Sequence, residues 1–213
     1  REITFSRGPL VNFSETHDNN RLASVSKSFS RLRNGLTALL SDTGTFGISC
    51  GVEWYASEKI DVHRLTSLKW GSSDNQVAWL RRLNNIIKTH PSFRAGSSLD
   101  KIHTSQTNSI AYKRYSPDRQ QTMIVLANLS DRPNELFVDG HRAAELHDDR
   151  QDLLSGEDVP VYPMDGEYRV ELKPHQIMAV CNDTAYLPQV MDQRVDRFIK
   201  QAKADRQLKL QII

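Results

Sequence analysis

The sequence predicts a mixed α/β segment, then an all-β segment, then a terminal helix. Three observations carry this. Strand-like and helix-like runs alternate as far as about residue 95. Beyond it, short apolar runs divided by turn clusters take over. From about Leu187 an apolar stripe at helical spacing returns. Alternating β and α signals suit helices lying on a sheet, whereas frequent turns without long helices suit an antiparallel sandwich. The expected segments are therefore residues 1–95, 96–184 and 185–213.

"PLVNFS", residues 9–14, reads as a short strand, and the turn and cap residues of "DNNRLAS" follow. Phe29, Leu32, Leu36, Leu39 and Leu40 then recur at helical spacing, the stripe of an amphipathic helix. Ser26 or Ser28 is its expected N-cap, and Gly44 stands just past its end, where helices commonly stop. "TFGISCGVEWYA", residues 45–56, is nearly continuous in small and apolar residues and predicts a second strand buried on both faces. A second helix is expected from Asp74 to Thr89, with Val77, Leu80, Leu83 and Ile87 inward and Trp79 beside them. Pro91 stops it.

In the all-β segment, "NSIAYKRYS", "QTMIVLANLS", "ELFVDG" and "EYRVELKPHQIMAVCN" read as strands. The clusters "SPDRQ", "SDRPN" and "PMDGE" divide them. In the last segment Leu187, Met191, Val195, Phe198 and Ala202 share one helical face. Its basic residues, from Arg194 to Lys209, read as a solvated face.

Strand, helix, strand, helix makes two units of a TIM-type (β/α) barrel. Two units cannot close a barrel of eight strands, and their sheet edges would stay unpaired. The remaining strands are expected N-terminal to Arg1, in a longer polypeptide. "REITFSRGP" has neither an initiator methionine nor the basic-then-apolar pattern of a signal peptide.

Hydrophobic residues make up 38% of the chain, charged residues 25%, and the net charge is +2. That balance suits a soluble globular protein and carries no whole-chain signal for polyanions. No apolar run approaches a membrane span. Neither nucleic acid nor membrane is an expected partner, and no cofactor or metal site is expected. The five residues between His141 and His147 match no standard zinc spacing. His63 reads as a surface loop residue. Cys50 and Cys181 flank apolar residues and read as buried free thiols rather than a disulfide. Of the three sequons, that at Asn12 falls in the first strand, where a glycan would not fit. A reducing cytoplasm is the expected compartment.

The chemistry concentrates in "LVNFSETHDNNRLA", residues 10–23. Reacting groups of a (β/α) barrel sit at the C-terminal ends of its strands, where Glu15, His17 and Asp18 fall. A carboxylate and an imidazole there can bind adjacent sugar hydroxyls, and the carboxylate can stabilise positive charge developing on a ring carbon. The same Asp-Asn-Asn run is also ordinary capping chemistry. Trp54 and Tyr55, at the second strand's end, can stack on a sugar face or pack beneath the loop.

"FSETHDNNRLA" resembles the fourth signature region of the α-amylase superfamily, glycoside hydrolase family 13, which runs aromatic-x-Glu-Asn-His-Asp. Phe13, Glu15, His17 and Asp18 match, and Thr16 replaces Asn. "GTFGISCGVEW" resembles the eighth-strand signature through Gly44, Gly51 and Glu53, with Phe46 replacing Pro and Val52 replacing a frequent Asp. "RLTSLKW", with Trp70, resembles the loop that follows. "LLSGE" and "VELKPHQIMAV" resemble the sandwich after the barrel, so the likeness spans residues 2–182.

The resemblance implies a retaining enzyme acting on α-linked oligo- or polysaccharides. Its nucleophile and general acid, about 5 Å apart, come from the fourth and fifth barrel strands, before this chain. Asp18 is implied as the third, transition-state-stabilising carboxylate and His17 as a donor to a neighbouring hydroxyl. Glu15 either buttresses the strand or contacts an adjacent subsite, and Glu53 bonds backbone at the rim. The calcium site of many relatives uses upstream loops, so no ligand falls here. A non-catalytic amylase-like scaffold is the alternative, and a stand-alone carbohydrate-binding sandwich is a weaker one.

Overall fold

A computed structural model describes residues 10–16, 18–41, 45–61, 63, 67–147, 150–186 and 194–211. His17, Gly44, Leu187 and Met191 lie outside the described residues.

Strand β1 (Val11–Phe13) pairs in parallel with β2 (Thr45–Gly47). Helix α1 (Lys27–Leu40) connects them, and Ser26 Oγ caps it by accepting from Phe29 N. Phe13 stands opposite Gly47. A Cβ on Gly47 would lie 2.6 Å from the Phe13 ring, so the ring occupies the space a side chain would need. The strand expected over 45–56 is corrected to three residues. Gly51 and Tyr55 both take positive φ, 90° and 53°, around a 3-10 turn at Val52–Trp54, and that backbone cannot continue a strand. Nor is β2 buried on both faces, because Thr45 is exposed.

Helix α2 (Val77–Thr89) starts three residues later than expected. It buries Leu80, Leu83 and Ile86. Its end is as predicted, just before the Pro91–Phe93 bend.

Four strands form one antiparallel sheet, in the order β3 (Ser98–Ile102), β4 (Ser109–Tyr115), β5 (Thr122–Asn128) and β9 (Ile177–Cys181). A second antiparallel sheet runs β6 (Asn134–Asp139), β8 (Glu167–Leu172), β7 (Val161–Pro163). All seven residues of β5 are buried, because the sheet is covered on both sides. Met123, Val125 and Ala127 join Leu32, Leu39, Leu83 and Ile86 of the helices in one core. Ile124 and Leu126 join Leu136, Val138 and Val170 of the second sheet in the other. The alternation of a strand sends successive side chains to opposite faces. β5 thereby links the two segments.

Arg114 reinforces that link. It is 2% exposed and donates to the carbonyls of Leu39, Ser41 and Ser92. A cation at the last carbonyls of α1 is favoured by the helix dipole.

Helix α3 (Arg194–Gln211) ends the described chain. Of its predicted inward face, Ala202 is buried and Phe198 is 45% exposed. Among the described residues no helix is long and apolar enough to cross a membrane. Both cysteines are free, but Cys50 is exposed, which corrects the expected burial.

Candidate functional site

The site is built from the turn that follows β1. Ser14 Oγ bonds Thr37 Oγ1 at 2.9 Å, pinning the strand end to α1. Glu15 is 5% exposed and enters a buried ion pair with Arg21, itself 1% exposed. Arg21 Nε donates to Glu15 Oε1 and Leu22 N to Glu15 Oε2, both at 2.6 Å. The other arm of Arg21 donates to the Cys50 carbonyl at 3.0 Å, and Ser49 Oγ donates to the Glu15 carbonyl at 2.7 Å. The turn after β1 and the loop after β2 are thus fastened together.

Within that frame Thr16 and Asn19 are bonded to each other. Thr16 Oγ1 bonds Asn19 Oδ1 at 2.7 Å, and Asn19 N donates back to the Thr16 carbonyl. Asp18 sits in this turn and is exposed.

The other predicted contacts separate into distinct roles. Glu15 is committed to Arg21 and to backbone, so of its two expected roles the geometry is that of the buttress. Trp54 is fully buried, with Trp70 at 5.5 Å and Phe198 stacked at 5.9 Å. Tyr55 is 3% exposed, with the Lys27 ammonium and the Arg31 guanidinium over its ring. Both were candidates for substrate contact. Of the two expected roles, their burial and ring neighbours give the geometry of packing beneath the loop. Glu53 Oε2 accepts from Gly51 N at 3.0 Å, which fixes the 3-10 turn. Burial raises the Glu53 pKa, against the backbone donors and Arg21. Cys50 is exposed, yet partial desolvation of its thiol by the surrounding loop raises its pKa too, and Glu53 adds to this against Arg21.

Two residues were missed in the sequence. Arg21 is the counter-charge of Glu15, and its one signal was that a Glu at the end of an apolar run needs a partner if buried. Gln76 is 1% exposed, and its amide nitrogen bridges Ser30 Oγ and the Val52 carbonyl. It carried no sequence signal. Among the described residues no group of three His, Cys, Asp or Glu side chains could hold a metal.

No family model and no curated protein sequence matches the chain. Solved structures do. An α-amylase from Anoxybacillus superposes with a TM-score of 0.64 at 18% identity, over 84% of this chain and 39% of its own. The α-amylase from H. orenii gives 0.61 at 16% identity, over 85% and 41%. That of Geobacillus thermoleovorans, solved with acarbose, gives 0.60 at 14% identity, over 83% and 39%. The chain spans about two-fifths of the length of these proteins. At such identities the likeness is one of fold: this chain has the fold of part of an α-amylase.

Proposed function

We propose that the chain is the C-terminal part of an α-glucan-active glycoside hydrolase or transglycosidase that works with retention. Asp18 is the third carboxylate of the site. It binds hydroxyls of the sugar at the cleavage subsite and favours the distorted ring. His17 donates to a neighbouring hydroxyl. In this reading residues 1–95 are the last two units of a (β/α)8 barrel, 96–184 the sandwich after it, and 185–213 a terminal helix. The remaining barrel strands, with the nucleophile and general acid, belong to preceding sequence.

The observation that carries the reading is the exposed Asp18 on a turn fixed at the end of a strand that pairs in parallel. Support also comes from the apolar side chains left exposed around β1 and β2, namely Leu10, Val11, Phe13 and Ile48. These are what adjoining barrel strands would cover. The acarbose held by the Geobacillus relative suggests an α-linked oligosaccharide as ligand.

The test is Asp18→Asn in the full-length protein, assayed on maltooligosaccharides. Turnover falls by orders of magnitude with a modest loss of binding if Asp18 acts at the transition state. Unchanged turnover removes Asp18 from the site. The second reading, a non-catalytic amylase-like scaffold, gains from the burial of Trp54 and Tyr55. An Asp and a Glu at the ends of the fourth and fifth barrel strands of the parent would exclude it.

A further inference from the structure

A groove of about 640 Å³ opens where the starts of α1 and α2 meet the sandwich turns 152–155 and 173–177. It shares no lining residue with the turn that holds Asp18. Its charge is unbalanced. Lys27, Arg31, Arg82 and Lys173 line it, against Asp74 and Asp152, and Arg82 also donates to the Leu154 and Ser155 carbonyls. Asp74 is already paired with Lys27. Asp152 is buried and accepts from Leu154 N, Ala179 N, Ser155 N and Ser155 Oγ.

The helices make the imbalance larger. A helix start carries partial positive charge and favours acidic residues nearby. Neither α1 nor α2 has an acid in its first turn; their only side-chain caps among the described residues are neutral, Ser26 Oγ accepting from Phe29 N and Asn75 Oδ1 from Val77 N. Helix α1 instead begins with Lys27 and places Arg31 one turn in, the unfavourable sign at that end. Two helix starts and a cluster of cations facing one concavity are what an anion would neutralise.

A second, independent feature concerns a neutral group. Gln76 is among the residues that line the groove and is 1% exposed. Both bonds of its amide are made by the nitrogen, and Oε1 has no partner. A buried acceptor without a donor is unfavourable unless a ligand supplies one. Inorganic phosphate dianion at neutral pH offers mainly acceptors. A hydroxyl on its carrier supplies the donor.

We propose that this groove binds a phosphate monoester carried on a sugar. The phosphate sits between the two helix starts, held by Arg31 and Lys173, and a sugar hydroxyl approaches Gln76. The choice of a sugar as carrier rests on the α-glucan reading above. The anion site does not.

The test is isothermal titration of the chain with inorganic phosphate, glucose 1-phosphate and glucose, at fixed ionic strength in chloride. Glucose 1-phosphate should bind more tightly than inorganic phosphate, and glucose alone should not bind here. The double variant Arg31→Gln/Lys173→Gln should weaken both phosphate ligands by about tenfold or more. Lys88→Gln/Lys101→Gln, an equal loss of charge at exposed positions outside the groove, should leave both unchanged. No saturable binding of either phosphate ligand, or equal weakening in both double variants, overturns the anion site. Equal affinity for phosphate and glucose 1-phosphate overturns the sugar carrier. None of these arms uses a glucan, so their failure is distinct from a failure of Asp18→Asn on maltooligosaccharides.

Discussion

Arg21 Nε lies 2.6 Å from Glu15 Oε1, and neither side chain meets solvent appreciably. The pair does more than balance charge. Through Glu15 it holds the end of β1 and the backbone of Leu22, and through Arg21 it reaches the Cys50 carbonyl beyond β2. The turn bearing Asp18 is bracketed by these bonds. A buried ion pair is poor evidence of stability in itself, since desolvation offsets the attraction. Its value here is geometric.

Removing one partner should therefore be far worse than removing both. Arg21→Met leaves a buried carboxylate uncompensated and should destabilise the fold by about 3–5 kcal/mol. Glu15→Met/Arg21→Met should recover much of that loss. Denaturant unfolding of the two variants and the parent measures the difference. A single variant that is no less stable than the double would show that an unpaired buried charge is not what weakens the fold.

Asp152 presents a comparable case with no ion-pair partner among the described residues. Four donors converge on its carboxylate, from Leu154 N and Ala179 N on one oxygen and from Ser155 on the other. Burial nonetheless pushes its pKa up. Asp152→Ala strands buried backbone donors, each of which costs about 1–3 kcal/mol when unsatisfied. The Ala179 amide, in β9, should lose protection in hydrogen exchange before the rest of its sheet. Uniform loss across the sheet would mean that the carboxylate does not anchor β9 locally.

The features legible in the sequence are those set by local periodicity. The stripe of Leu32, Leu36 and Leu39 and the stop at Pro91 are read within one or two helical turns, and the structure has both helices. The β5 strand was visible too, as an apolar run, although burial on both faces depends on what packs against it. What escaped depends on distant partners or unusual backbone. Tyr55 at φ 53° ends an apolar run that reads as strand, and no rule of composition assigns a tyrosine to left-handed backbone. Strand β3, "SLDKI", is polar at its centre and edges its sheet, so its pattern was weak. At the proposed site, Asp18 is singled out by motif alone. Arg21 was not, because its role comes from contact with Glu15 across a turn and Cys50 across 29 positions.

His90 should make stability fall in mild acid. It is 2% exposed, and burial lowers its pKa to about 4, with Arg114 acting in the same direction and Asp183 against it. The unfolded chain takes up this proton near pH 6.5 and the folded one only near 4, so between those values the unfolded state binds more protons. Stability is then complete above about 6.5 and declines as pH falls towards 4, by about 3 kcal/mol from this group. In His90→Gln the decline should be shallower by that amount. Urea unfolding of both proteins at several pH values across the window checks it. Parallel pH profiles would rule His90 out as the source.

Helix α3 approaches Gly71 closely. A Cβ there would lie 2.6 Å from the Ala202 carbonyl oxygen, and its φ is +70°. Gly71→Ala should cost about 1–2 kcal/mol in backbone strain and in addition push α3 off the turn. Phe198 would then leave the face of Trp54, on which it stacks at 5.9 Å and 15°, and the edge of Trp70. Phe198→Ala removes the same cover without straining the turn. Both variants should make tryptophan emission more accessible to acrylamide, and both should speed proteolysis within α3. Strain alone would lower stability in Gly71→Ala and leave Phe198→Ala unquenched. If neither variant changes quenching, the helix does not shield Trp54, and the close approach of Gly71 to Ala202 has no part in covering the aromatic pair.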